Sequence, residues 1–188
     1  MQYRRANIAG GTYFFTVNLA ERGKSILIEH IAYLRNTINL VKKRHPFIVD
    51  AMVVMPDHFH LLMTLPPNDN DFAKRIMLIK AGFSRSLPKT ERINRSRKLK
   101  GERGIWQRRY WEHMIRNETD YARHVDYIHY NPVKHGCVKN ASEWQYTTLH
   151  QFIERKIVSP DWGRADDFEI ENFGEWVVGV RASPQPTR

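Results

Sequence analysis

An α+β fold of ferredoxin-like kind, an antiparallel sheet with helices packed on it, is what this 188-residue sequence predicts. Three observations point there. β-forming and helically spaced stretches follow one another in the order β-α-β-β-α-β-α. The second and third β stretches are joined by only Met55-Pro56-Asp57, a connection too short for anything but an antiparallel hairpin. The third places Phe59, Leu61, Met63 and Leu65 on one face, so that face is the core and the other carries His58, His60, Leu62 and Thr64.

Taken in order, Gly10-Gly11 marks a turn, and residues 12–18, rich in Tyr, Phe, Thr and Val, read as the first strand. Residues 29–44 carry Ile31, Leu34, Ile38 and Val41 at helical spacing, with cations in the last turn, where the helix dipole favours them. Pro46 stops that helix. Residues 47–55 and 58–65 form the hairpin. A second helix starts at Asp69 or Asp71, runs through Phe72, Ile76, Ile79 and Phe83, and ends before Pro88. Residues 89–104 have almost no apolar content and read as a loop. A fourth strand is expected over residues 104–115. Asn117 is the N-cap of a third helix, with Asp120 in the capping-box position and Tyr121, Val125 and Ile128 on its buried stripe. Pro132 ends it, leaving Asn131 at its last turn. Residues 144–153 read as a short amphipathic helix.

The length suits one ordinary core, and a 41% hydrophobic, 27% charged composition is that of a soluble globular chain. No apolar run reaches membrane-span length, and residues 1–7 lack the apolar stretch of a signal peptide, so a cytoplasmic protein is expected. The single Cys137 excludes an internal disulfide and a thiolate zinc cage. The net charge of +10 favours a polyanionic partner. It is unevenly spread: residues 85–109 hold ten Lys or Arg against Glu91 and Glu102, whereas residues 161–180 hold six acids against Arg164. The organisation expected is a folded domain over residues 1–160 followed by an acidic tail, 161–188.

Chemistry enters with two patterns. His58 and His60, two apart on a strand, project to the same face. On the helix after Asn117, the stripe of Tyr121, Val125 and Ile128 leaves Asp120, His124, Tyr127 and Asn131 together on a neighbouring flank, so that Tyr127 stands beside the core rather than in it. Each residue has an ordinary alternative: structural histidines, a tyrosine at a helix–sheet seam, an asparagine capping a helix before proline. Together they describe an imidazole- and oxygen-containing site suited to Mg2+ or Mn2+ bridging protein and phosphate, with a tyrosine as nucleophile.

His-hydrophobic-His on a strand, followed by Tyr127-Ile128-His129-Tyr130-Asn131-Pro132-Val133-Lys134-His135-Gly136, resembles the single-tyrosine HUH transposases of the insertion-sequence class, and most of all their REP-associated tyrosine transposases. Residues 10–18 and 105–113 resemble that branch too, and the likeness covers roughly residues 3–162. The resemblance implies an HUH nuclease fold, with Tyr127 as a nucleophile that forms a 5′-phosphotyrosyl link and releases a 3′-hydroxyl. It implies His58 and His60 as metal ligands, and Asn131 where the wider family places a glutamine-type ligand. Tyr130 is the rival nucleophile, argued against by its helical angle. The implied partner is single-stranded DNA folded into short palindromic, REP-like hairpins, handled by a monomer or homodimer in a bacterial, nucleoid-associated setting.

Physics suggests the DNA contacts. Trp106 and Tyr110 interleaved with Arg108 and Arg109 offer stacking faces beside phosphate-pairing cations, the alternative being aromatics that simply pack the sheet. Arg95, Arg97, Lys98, Lys100 and Arg103 in the basic loop would hold a hairpin backbone by charge, and Arg4 and Arg5 would reach a groove or flanking bases. The acidic tail, with Trp162, Phe168, Phe173 and Trp176 among its acids, is either a mimic of nucleic acid that competes for the basic site or a plain appendage. Two rival readings are a basic nucleic-acid-binding module without catalysis and a plasmid-type replication-initiating nuclease.

Overall fold

In the computed structural model, which describes residues 8–91, 93 and 95–164, four strands form one antiparallel sheet in the order β2-β3-β1-β4. They are β1 (Thr12–Asn18), β2 (Ile48–Val54), β3 (His58–Thr64) and β4 (Trp111–Met114). β1 lies at the centre beside β3, with Thr16 opposite His60 and Asn18 opposite His58. The β2–β3 hairpin forms as expected, with a bulge at Asp50. The helices are α1 (Ile26–Glu29), α2 (Ile31–Arg44), α3 (Phe72–Ser86), α4 (Arg95–Leu99), α5 (Glu118–Lys134) and α6 (Leu149–Glu154), with a 3-10 turn at Ala141–Glu143.

Alternation along the strands builds two cores. Tyr13, Phe15, Val17, Phe59, Leu61 and Met63 pack against α2 and α3 residues such as Leu34, Ile38, Ile76, Ile79 and Phe83. On the opposite face, Phe14, Ala51, Val53 and Leu62 pack against Val125, Tyr127 and Ile128 of α5. A third cluster (Tyr130, Val133, Ala141 and Leu149) lies behind α5, so the helix is covered on two sides. Capping follows the chemistry of the sequence: Asp71 accepts from the Lys74 N–H at 3.0 Å, and Asn117 from the Asp120 N–H at 2.9 Å.

Four expectations give way. α5 runs through Pro132 to Lys134, because buried Pro132 and Val133 anchor the last turn in the core and the His135 N–H still reaches the Asn131 carbonyl at 3.0 Å. The fourth strand is four residues long and not twelve: Trp106 bridges Leu19 just past the end of β1 while its indole reaches beneath α3, and the pairing is interrupted between Gln107 and Trp111. The basic loop contains the short helix α4. Residues 144–148 are not helical: Thr147 bridges Val53, and the Val54 N–H to Tyr146 carbonyl and Thr148 N–H to Met52 carbonyl bonds (both 2.9 Å) seal the outer edge of β2, so the last helix starts only at Leu149. At the expected domain boundary, Trp162 packs on the third cluster and Asn140 bridges Arg164, which makes residues 161–164 part of the folded body. The rest of the expected acidic tail, and Arg4 and Arg5, lie outside the described residues. No helix among the described residues is long and apolar enough to cross a membrane.

Candidate active site

His58 and His60 lie side by side on the α5 face of β3, ring centroids 4.9 Å apart, both buried. Each is held by its Nδ1 atom. His58 Nδ1 is 2.7 Å from Asp57 Oδ1, and His60 Nδ1 is 2.9 Å from Thr16 Oγ1, its partner across the sheet. Asp57 is in turn bonded by Arg22 Nε at 2.6 Å. Burial alone would raise the Asp57 carboxyl, but the hydrogen bond and charge of His58, with the charge of Arg22, hold it below its usual range. Fixing Nδ1 directs Nε2 of each ring outward from the strand, the arrangement metal-binding histidines use.

Tyr127 comes down on this pair from α5, its ring 5.1 Å from that of His60 and 5.8 Å from Phe14. Lys134 Nζ sits 4.9 Å from the centre of the same ring. Asn131 is one turn beyond, fully buried. The fold thus brings together both histidines and the tyrosine that the sequence singles out. The burial differs from expectation: Tyr127 is only 1% exposed, part of the second core and not beside it, because Phe14 and Leu62 share the histidine face and draw α5 down onto it. Tyr130 points the other way, into the third cluster.

Buried polar atoms show what chemistry the site can accept. His60 Nε2 and both amide atoms of Asn131 have no hydrogen-bond partner among the described residues. An unmet buried amide or imidazole nitrogen costs about 1–3 kcal/mol, so such atoms mark a place for a ligand. A divalent cation coordinated by imidazole nitrogen and amide oxygen fits these donors. His60 is held well below the usual imidazole range, first by burial and then by the charges of His58, His135, Lys134 and Arg22, so it stays neutral and able to ligate. His135, whose ring is 5.4 Å from His58 at the exposed end of α5, is a neighbour that sequence reasoning missed. The signal is present in the spacing: Tyr127, Asn131 and His135 repeat every four residues, but a helix expected to stop at Pro132 does not extend that far.

The expected DNA-contact residues divide. Arg95, Lys98, Lys100 and Arg109 are exposed. Arg108 is exposed but bonded to Glu102 at 2.9 Å and Ser96 at 3.0 Å. Arg97 donates to the Trp106 carbonyl at 3.1 Å. Arg103 is turned inward, where it clasps Glu91 and the carbonyls of Ser84, Leu87 and Pro88 and closes the basic loop on itself. Trp106 is a core residue, its indole N–H donating to the Lys80 carbonyl at 3.0 Å and its ring packed on Phe59 and Phe83, because residues 104–110 are not a strand with an open face. Tyr110 is half-buried against Phe15. Between α3 and residues 101–110 runs a groove of about 550 Å³ lined in part by Lys80, Arg85, Arg97 and Arg108. It lies on the α3 side of the sheet, away from Tyr127.

Residues 11–131 match the family model described as transposase, IS200 like. The chain is 44% identical over 178 residues to the REP-associated tyrosine transposase of Escherichia coli K12, covering 94% of this chain and 98% of that one. A Haemophilus influenzae relative whose name places it in the same group is 45% identical over 170 residues, covering 90% and 97%. Among solved structures, a REP-associated tyrosine transposase bound to a REP hairpin superposes with a TM-score of 0.77 at 42% identity, over 95% of this chain and 99% of that one. With the antiparallel sheet, the paired histidines and the tyrosine helix all in place, the chain belongs to the IS200-like transposase family, on its branch of REP-associated tyrosine transposases.

Proposed function

We propose that this transposase cuts and rejoins single-stranded DNA beside REP-like hairpins, with Tyr127 as nucleophile. The observation that carries the proposal is the packing of the Tyr127 ring on His60, next to the buried His60 Nε2 and Asn131 amide, which lack partners among the described residues. Family membership implies a divalent metal. His58, His60 and Asn131 would hold it, and Mg2+ or Mn2+ bound there would polarise a phosphoryl oxygen and offset developing negative charge. Asp57 and Thr16 orient the two imidazoles for ligation. The phenol oxygen of Tyr127 gives up its proton and bonds to phosphorus, the bond to the 3′-oxygen breaks, and that oxygen leaves as a hydroxyl. The phosphotyrosine keeps a phosphoester bond, so a second 3′-hydroxyl can reverse the exchange with little net change in energy.

The likeness to the hairpin-bound relative and the net charge of +10 support a DNA hairpin as partner. Exposed Arg95, Lys98, Lys100 and Arg109 are the candidate backbone contacts, with partly engaged Arg97 and Arg108 beside them. Tyr110 borders the groove as a stacking surface. Because Tyr127 is covered, a phosphate reaches it only after its neighbours are displaced, so the chemistry is coupled to substrate binding.

The test is a labelled hairpin oligonucleotide with a single-stranded flank, incubated with Mn2+ and resolved under denaturing conditions. The parent protein should form a covalent adduct, and Tyr127→Phe should form none while binding the hairpin within about threefold of the parent, a change of less than ~1 kcal/mol. An adduct that survives Tyr127→Phe would move the nucleophile to another tyrosine. Hairpin binding with no adduct from either protein, and no response to EDTA, would leave a DNA-binding module without catalysis.

A further inference from the structure

A second group of ligating side chains lies outside this site. His113 on β4, with Asp120 and His124 in the first two turns of α5, each offer one donor atom within 4.8 Å of the other two. His113 Nε2 is 2.8 Å from Asp120 Oδ2, and His124 Nδ1 is 3.1 Å from Asp120 Oδ1. In a tetrahedral site with bonds of about 2.0–2.1 Å, neighbouring donors stand roughly 3.3 Å apart. The three donor atoms lie within 4.8 Å of one another, and closing them to that spacing requires the His124 ring to present Nε2, since its Nδ1 is the atom bonded to Asp120.

The site is built rather than incidental. His124 is fully buried, and its Nδ1 lies 2.7 Å from the backbone carbonyl of Asp120. A carbonyl only accepts, so Nδ1 carries the proton and Nε2 the lone pair, the tautomer imposed on many metal-bound histidines by such a bond. The His113 and His124 rings are stacked, 4.8 Å apart and within 14° of parallel. Asp120 is fixed by the Arg116 N–H at 3.0 Å. The group is distinct from the His58–His60 pair: the Phe14 ring stands between them, 5.4 Å from His60 and 4.8 Å from His124.

We propose that His113, Asp120 and His124 form a second metal site, selective for a borderline ion such as Zn2+ or Co2+, that pins the edge strand β4 to the start of α5. Two imidazoles and one carboxylate favour Zn2+ or Co2+, whereas Mg2+ prefers six oxygens. The ion would span residues 113–124 across the strand–helix corner, with water as the remaining ligand. β4 has four residues and pairs with β1 alone in the sheet, so it gains most from such a tie.

The experiment uses the full chain carrying His58→Ala and His60→Ala, which removes the first site and makes the outcome independent of the proposed cleavage. Titration with Co2+ should give about one equivalent of bound ion with visible d–d absorption that the metal-free protein lacks. Zn2+ at about a hundredfold excess over its Kd should raise Tm by roughly 5 °C or more. Adding His113→Gln, which keeps a polar side chain on a half-buried edge position, should abolish both the colour and the shift. Asp120→Asn should do the same, and circular dichroism establishes that each variant folds. No stoichiometric Co2+ binding in the double-alanine background overturns the proposal. So does binding that persists at the same affinity in folded His113→Gln and Asp120→Asn.

Discussion

Asn131 is a buried carboxamide whose oxygen and nitrogen both go unsatisfied among the described residues, one turn beyond Tyr127. In metal-free protein this is a cost of about 1–3 kcal/mol, and an apolar side chain of similar size removes it. Asn131→Leu should therefore raise Tm by a few degrees in EDTA, while abolishing the stabilisation that Mn2+ gives the parent and the Mn2+-dependent cleavage. Differential scanning calorimetry with and without Mn2+ decides this; a lower Tm in EDTA would mean that the amide is satisfied and has no ligating role. His60→Ala should cost stability, as a buried ring removed from contact with Phe14 and Tyr127 leaves a cavity. At this scale the sequence was informative wherever a period fixed a direction. Two residues on a strand brought His58 beside His60, and four on a helix set Asn131 one turn after Tyr127. It did not reveal that Tyr127 is covered, because alternation assigns residues to faces and says nothing of what lies on each face. Leu62 and Phe14, both pointing at α5, were the available hint.

The stretch from α3 to β4 shows how elements can mislead. Trp106, Arg108 and Tyr110 alternate like a strand with one face free for DNA, yet the chain turns so that the Trp106 indole can reach the Lys80 carbonyl and the Ser84 hydroxyl. Aromatic–cation alternation is the same text whether the aromatic stacks on a base or fills a core, and only the tertiary neighbours Phe59 and Phe83 decide. The basic loop is likewise closed by Arg103 on Glu91, whose carboxyl that guanidinium holds down to about 2. The folded-state pKa lies below the unfolded one, so the stabilisation is complete above about pH 4.5 and is lost as pH falls toward 2. Glu91→Gln should lower Tm by a few degrees at about pH 6 and by almost nothing near pH 2; an equal deficit at both would exclude the ion pair as its source. By contrast α5 was legible from its Asn117 cap and apolar stripe. Its passage through Pro132 was not, since a proline costs about 3 kcal/mol in a helix interior and only the burial of Pro132 and Val133 offsets it.

Across the described residues, three buried imidazoles are kept neutral. Burial lowers His60, His124 and His129, the last to about 3 with help from the charge of His150. The unfolded chain protonates them near pH ~6.5, so the stability they allow is present above that pH and is lost as pH falls below it, by up to about 1.4 kcal/mol per pH unit for each. Tm should accordingly drop steeply between about pH 6.5 and 5 in EDTA, with proton uptake on unfolding seen by calorimetry in buffers of different ionisation enthalpy. A flat profile over that range would show that the rings are already charged in the fold. Hairpin binding, resting on Lys and Arg, should weaken by orders of magnitude between about 50 and 200 mM salt if about six to ten phosphates are contacted. Net charge announced a polyanion from the sequence, but the placement of the basic groove on the α3 side and of Tyr127 on the α5 side follows only from the packed sheet.

The shielding of Tyr127 has a consequence for a cell. Unpaired DNA is exposed at every replication fork and repair tract, and an always-accessible reactive phenol would risk becoming trapped on such strands. With Tyr127 as the proposed nucleophile, its ring packed on Phe14 and His60 would keep it sheathed in the idle protein. On that reading, accidental nicking would be limited by how often the sheath opens.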